Sequence, residues 1–246
     1  AVLGVFVSLD LLLFFIFFEF ELIPMFMLIA IWGSGRPRYS AMKFVLFTLA
    51  GGAFMLVGIL AIYVTPGVNT LAMVSIPELG ITGIPELIAV ADLVVPAALI
   101  FGFFFIAFAV KLPLFPVHSW LPDAHTDAPT AVSVMLAGVL LKMAGYGLLR
   151  INLGFFQETK GFTIHDVAGY MAILAAVSVI YGGIITIRQT DMKRLIAYSS
   201  VSHMGFVLLG VAAVGSSAVE TSMSETAILA PSSANCRDIA RPMPLP

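Results

Sequence analysis

The chain has 246 residues, of which 60% are hydrophobic and only 11% charged, with a formal net charge of -2 and a mean hydropathy of +1.06. So few charges cannot cover a soluble domain of this size, and the composition points to an integral membrane protein. A single cysteine, Cys236, excludes a disulfide framework and a thiolate metal cluster; the sequence also lacks a glycine-rich phosphate loop, a nucleophile elbow and a basic face for nucleic acid.

Ala1 to Leu9 is apolar, with no basic lead-in and no initiator methionine. It is not a signal peptide, and we expect a helix whose beginning is missing. A bilayer core of about 30 Å needs about 20 apolar helical residues. Leu11 to Trp32, Phe44 to Val64 and Val167 to Ile187 meet that length without a lysine or arginine. They are apolar all round, which selects helices over the alternating strands of a β-barrel. Asp10 is placed to cap the first of these spans. Glu19 and Glu21 lie inside it. Along a helix Glu19 is about 13 Å from Asp10 and about 20 Å from Trp32, too deep for a short carboxylate to reach the interface. Glu21 falls about 200° around a regular helix from Glu19, so the two are expected to face different partners. Pro24 is expected to kink the helix near them.

Arg36, Arg38 and Lys43 lead into the second span, where Gly51 and Gly52 allow close helix contact. The next connection, Thr65 to Asp92, carries Glu78, Glu86 and Asp92 and no lysine or arginine. By the positive-inside rule the Arg36 loop is cytoplasmic and the Glu78 loop opposite. Counting onward returns Arg188, Lys193 and Arg194 to the cytoplasmic side and puts the Arg150 to Lys160 loop outside. A further span runs from Val94 to Lys111, Pro113 and Pro116. Two prolines three apart prevent a regular helix, and the freed carbonyls must be met by protein or water rather than lipid. A broken helix beside a charge has the look of an ion path.

His118 and His125 are expected at the cytoplasmic membrane surface. Their H-x6-H spacing, without a convergent carboxylate or cysteine, argues poorly for a metal. Asp127 and Pro129 suit a cap and an early-turn proline. Lys142 follows, about 12 Å before Arg150. The last spans are Val167 to Ile187, with Gly182 and Gly183, and Leu195 onward, which opens on Tyr198, Ser199, Ser200, Ser202 and His203. From about Glu220 the sequence turns polar and ends RPMPLP. The expected architecture is an all-α integral membrane protein, a polytopic bundle of about six transmembrane segments with one proline-broken helix, over residues 1–217. Residues 218–246 are expected to form a polar, disordered non-membrane tail, produced by truncation or a frameshift.

The charged residues inside the spans can be read in two ways. Lys142 and Lys111 either snorkel to the interface on their long stems or titrate in a hydrated path, where burial and a nearby carboxylate set their charge. Glu19 is either a static salt-bridge partner or half of a Glu19–Lys111 pair that opens and closes. His203 is either packed in its helix or a proton relay next to three serines. Glu21 is left between a subunit contact and function.

Three separated segments then match one family in order. The run AFAVKLPLFPVHSWLPDAHTDAPTAVSVMLAGVLLKMAGYGLLR, with FFEFELIPMF upstream and QTDMKRLIAYSSVSHMGFVLLG downstream, resembles the antiporter-like membrane subunits of respiratory complex I. Within them it is similar to the subunit 4 or chain M type, including cyanobacterial and chloroplast relatives. The resemblance covers residues 1–217. It implies proton translocation by a subunit of an NADH (or ferredoxin):quinone oxidoreductase, driven by quinone reduction in other subunits. It carries roles in a proton relay onto Glu19, Lys111, Lys142 and His203. No cofactor is expected in this chain; NADH, FMN, iron-sulfur clusters and quinone belong to partner subunits. The implied partners are the other membrane-arm subunits and the bilayer of a bacterial cytoplasmic membrane, or of an organellar inner or thylakoid membrane. The family's later spans, with a second broken helix, have no counterpart. The alternatives are a subunit of a cation/proton antiporter or membrane-bound hydrogenase, and a truncated scaffold that conducts nothing.

Overall fold

A computed structural model describes residues 1–157, 159 and 161–229, the last twelve of them by their backbone. Cys236 and the rest of the expected tail lie outside these residues. The described chain is helical, with no strand and only three isolated bridges such as Asp10 to Ala72.

Helix α1 covers Val2–Val7, and the first full crossing is split into α2, Leu11–Phe20, and α3, Leu22–Trp32. Asp10 starts it as expected, accepting from the backbone N–H groups of Leu12 and Leu13 at 2.9 and 3.0 Å, donors that a helix start leaves orphaned. Helix α4, Pro37–Tyr63, opens on a proline whose fixed φ suits the first turn and whose missing N–H costs nothing there. After the short α5, Ile84–Val90, the proline-broken crossing consists of α6, Ala97–Lys111, and α7, Trp120–Asp127. It begins three residues later than Val94, because Pro96 sits at the cap position.

The next crossing, Thr130–Leu153, is α8 (Thr130–Met135) and α9 (Leu141–Gly147), each followed by a π-helical turn, Leu136–Leu140 and Leu148–Leu153. Asp127 does not cap it. The Asp127 carboxylate accepts instead from Ser40 Oγ at 2.5 Å, and Pro129 holds the cap position. Helix α10, Ile164–Ile187, starts with a reciprocal capping box between Thr163 and Asp166. Helix α11 runs Met192–Leu229, so backbone helix continues past 217. Five of these crossings are long and apolar enough to span a membrane, and α6 is a shorter apolar helix.

Between helices surrounded by lipid, packing depends on close contact rather than on a hydrophobic drive. A Cβ at Gly182 of α10 would meet the Ser202 backbone nitrogen of α11 at 2.8 Å, and one at Gly205 would meet Val179 at 2.8 Å. Gly51 of α4 likewise lies against Ala107 and Val110 of α6. Phe14, Phe18, Phe104 and Phe108 fill the interior, while Leu46, Ile173 and Ile187 point outward. One rim gathers the 33–36 turn, the end of α7 and the start of α11: Ser34 N–H donates to Asp127 O at 2.7 Å, Lys43 pairs with Asp123 at 2.7 Å, and Lys193 donates to Ala128 O at 2.7 Å. The 64–96 connection closes the other rim, where Leu11 N–H donates to Leu71 O at 2.8 Å.

Candidate functional site

Lys111 is the last residue of α6. The break beyond it, which includes a cis Phe115–Pro116 peptide, leaves backbone groups that the protein satisfies itself. Val110 O accepts from the Trp120 indole at 2.9 Å. Phe115 N–H donates to Ser178 Oγ at 3.1 Å, and that hydroxyl donates on to Leu174 O at 2.9 Å. The break is therefore held from two sides, by α7 and α10, as a non-helical backbone at membrane depth requires.

The Lys111 side chain is 3% exposed and its partner is Glu21, 2% exposed. The Nζ to Oε1 distance is 2.6 Å. This is a correction: the expected pair was Glu19 with Lys111, argued from a regular helix. The helix is not regular. It is interrupted at Glu21, between α2 and α3, three residues before Pro24, whose ring disrupts the turn that precedes it. The same ammonium donates to Phe18 O at 2.6 Å and lies 3.5 Å from the centre of the Phe18 ring. It also occupies the C-terminal turn of α6, where the helix dipole favours a cation. The contact is a close ion pair, and neither Glu21 oxygen has a further hydrogen-bond partner.

Glu19 lies two residues back, about half a turn, on α2. Both of its oxygens are buried without a hydrogen-bond partner, and the Lys111 charge reaches it as well as Glu21. It faces Gly52 of α4, where a Cβ would come within 2.5 Å of the carboxyl carbon. Glu19 also edges an apolar groove of about 440 Å³ between α3 and α4, lined by Phe26, Met42 and Leu49.

Lys142 and His203 meet elsewhere. Both line a groove of about 560 Å³ between the α8–α9 crossing and α11, together with His125, Ser133, Lys193 and Ser200. Lys142 and His203 are exposed to it rather than packed. Lys142 turns back to its own helix and donates to Ala137 O at 2.5 Å, in the first π-helical turn, a local widening often found where helices serve a function. His118 and His125, expected at the surface, are buried at 6% and 3% exposure. His118 packs against the rings of Tyr181 at 4.9 Å and Phe115 at 5.9 Å, and neither ring nitrogen of His125 has a hydrogen-bond partner.

The structure thus gathers the four expected residues into two sites: Lys111 with Glu19 nearby, and Lys142 with His203. Leu112, next to Lys111 and buried, approaches Gly145 of α9, three residues from Lys142. Sequence reading missed Glu21 as the partner. The available signal was the Glu-x-Glu-x-x-Pro spacing, which places the second carboxylate where the proline breaks the helix. Among the described residues no group of three or more His, Cys, Asp or Glu could hold a metal.

Comparison with known proteins gives a consistent result. Residues 8–236 match the transmembrane family described as NADH:quinone oxidoreductase/Mrp antiporter. The chain is 46% identical over 213 residues to an NAD(P)H-quinone oxidoreductase chain 4 of Synechococcus sp. (strain JA-3-3Ab), covering 87% of this chain and 38% of that one. It is 44% identical over 229 residues to NADH-quinone oxidoreductase subunit M of Rhodobacter capsulatus, covering 89% and 42%. A chain in the structure of respiratory complex I from Thermus thermophilus with bound NADH superposes with a TM-score of 0.72 at 33% identity, covering 85% of this chain and 42% of that one. The chain therefore spans about two fifths of the length of these relatives. With its proline-broken helix, its buried lysine and a family match over most of its length, the chain belongs to the NADH:quinone oxidoreductase/Mrp antiporter family of membrane proteins.

Proposed function

We propose that this chain forms part of a proton-translocating subunit of a quinone oxidoreductase of the complex I type, and that the electron carriers, NADH, FMN, iron-sulfur clusters and quinone, act in its partner subunits. The observation that carries this reading is the Lys111–Glu21 pair, 2.6 Å apart and almost wholly buried at a helix break. Such a pair contributes little to stability, because its desolvation offsets its attraction. It is well suited to a switch, since separating the charges changes the proton affinity of both. In the cycle we envisage, protons reach Lys142 through the groove it shares with His203. Opening and closing of the Lys111 pair alters the charge that Lys142 experiences and drives release.

The test is proton transport per quinone reduced, by the assembled complex in vesicles. Lys111→Ala and Lys142→Ala are each expected to lower that ratio several-fold while quinone reduction continues. Full pumping by either variant would refute the proposal. The family also includes Mrp antiporters, and pumping that follows sodium rather than quinone turnover would assign the chain to that branch.

A further inference from the structure

We infer that Lys111 serves two carboxylates in turn, with Glu21 as its resting counter-ion and Glu19 as a proton-bearing second acceptor. The inference rests on the proposed translocation, which it extends by naming where one proton is stored.

The argument begins with charge balance. Two carboxylates and one ammonium share a site whose side chains are otherwise apolar. The charges that reach Glu19 are those of Lys111 and Glu21, and Glu21 faces the same Lys111 charge. On α4, Gly52 faces Glu19 and Met42, Val45 and Leu49 line the adjoining groove, none of them ionisable. A buried carboxylate with no hydrogen bond and no close counter-charge takes up a proton rather than remain ionised. Glu21 has its counter-charge at 2.6 Å. Glu19 has none at that range and both of its oxygens are buried and unpartnered, so Glu19 holds the proton.

Geometry then allows exchange. The Lys111 ammonium is fixed over Phe18 by that residue's carbonyl and ring, and Phe18 immediately precedes Glu19 in the chain. A rotation of the flexible lysine stem about this anchor transfers the positive charge from one carboxylate toward the other. As it arrives, Glu19 releases its proton and Glu21 gains one. The proton count of the three groups is conserved within the swing, and net transfer occurs when the proton leaves Glu19 on one side and reaches Glu21 from another. The absent side chain at Gly52 gives the Glu19 carboxyl the space it occupies. Glu21 in this scheme holds Lys111 away from Glu19 at rest and takes up a proton when the lysine leaves it.

An apolar carbodiimide adds to protonated carboxyl groups in apolar surroundings and leaves ionised, paired ones unmodified. The groove of about 440 Å³ beside Glu19 offers dicyclohexylcarbodiimide a route from the lipid. In the assembled complex at neutral pH, peptide mass spectrometry should find Glu19 modified and Glu21 not. In Glu21→Gln, Lys111 is left with Glu19 alone, and Glu19 modification should fall at least tenfold; Glu21→Asp, which keeps the charge, should restore it. In Lys111→Ala, which removes the cation and opens space, Glu21 should become modified as well. If Glu21→Gln fails to assemble, the Lys111→Ala complex decides. Absence of Glu19 modification in the unaltered complex, an unchanged Glu19 yield in Glu21→Gln, or an unmodified Glu21 in Lys111→Ala would each overturn the inference. Pumping distinguishes this from failure of the parent reading: unimpaired transport by Lys111→Ala removes the translocation role whatever the labelling pattern shows.

Discussion

At the scale of single residues, the Lys111–Glu21 pair makes a prediction about stability that is separate from transport. Deleting only the ammonium leaves Glu21, 2% exposed, buried opposite no charge, and loss of one partner of a buried pair costs about 3–5 kcal/mol. Replacing both by apolar residues of similar volume removes the desolvation cost with the attraction and is close to neutral. Thermal unfolding in detergent should therefore rank Lys111→Met well below the unaltered protein and Lys111→Met with Glu21→Met near it. Equal loss in the single and double variants would show that the pair is a net stabiliser. The residue scale is also where sequence reading succeeded and failed most clearly. That Lys111 and the acidic residues of the first crossing are buried together followed from the cost of placing charges in hydrocarbon. Which carboxylate meets the lysine did not, because the 200° offset holds only while the helix is regular, and the helix is interrupted at Glu21, ahead of Pro24. Lys142 was placed at depth by its distance from Arg150, yet depth along a helix says nothing of which face opens to a groove.

At the scale of elements, the broken crossing keeps its shape through two side chains outside α6. Trp120→Phe keeps an aromatic ring beside Phe44, which the indole meets at 5.3 Å, but loses part of the side-chain volume and leaves the buried Val110 carbonyl without its donor. An unsatisfied buried acceptor costs about 1–3 kcal/mol, and the expected result is a lowered unfolding temperature with Lys111 less firmly held. An unchanged temperature would mean that water replaces the indole. A steric counterpart lies between α10 and α11. A side chain at Gly182 meets backbone, the Ser202 nitrogen at 2.8 Å, which cannot rotate aside as a flexible side chain can. Gly182→Val is expected to separate the two helices and destabilise by about 1–3 kcal/mol or more, whereas Gly183→Ala, whose nearest neighbour is Ser202 Oγ at 4.0 Å, should be tolerated. Both glycines stand side by side in the sequence, so their presence was legible but their difference was not; the angle at which α11 crosses decides it. The crossings themselves were legible because length and uniform hydropathy are enough to define them. The start of α8 was not, since Asp127 had an alternative partner in Ser40, 87 residues away.

At the scale of the whole molecule, the charges of the two rims make a prediction about orientation. The rim that joins the 33–36 turn to the ends of α7 and α10 carries Arg36, Arg38, Lys43, Arg188, Lys193 and Arg194, offset by Asp123, Asp127 and Asp191. The opposite rim carries Asp10, Glu78, Glu86, Asp92 and Asp166, with Arg150 the basic residue among its described positions. Positive loops resist translocation during insertion, which predicts the first rim, and with it the α7 end of the broken crossing, on the cytoplasmic side. Lys43 and Asp123 then stand at the cytoplasmic end of the α4–α7 contact, and the groove of Lys142 and His203 shares Lys193 with that same rim. Protons would thus be collected at the basic rim and delivered toward the acidic one. The orientation can be measured directly. With Cys236→Ser as background, Ser34→Cys and Thr82→Cys place single thiols at exposed positions on the two rims. A membrane-impermeant maleimide should label Ser34→Cys only in inside-out vesicles and Thr82→Cys only in right-side-out ones. The reverse pattern would invert the inferred direction of proton movement while leaving the ion pair and its chemistry in place, because a buried lysine and its carboxylates respond to whichever side supplies water.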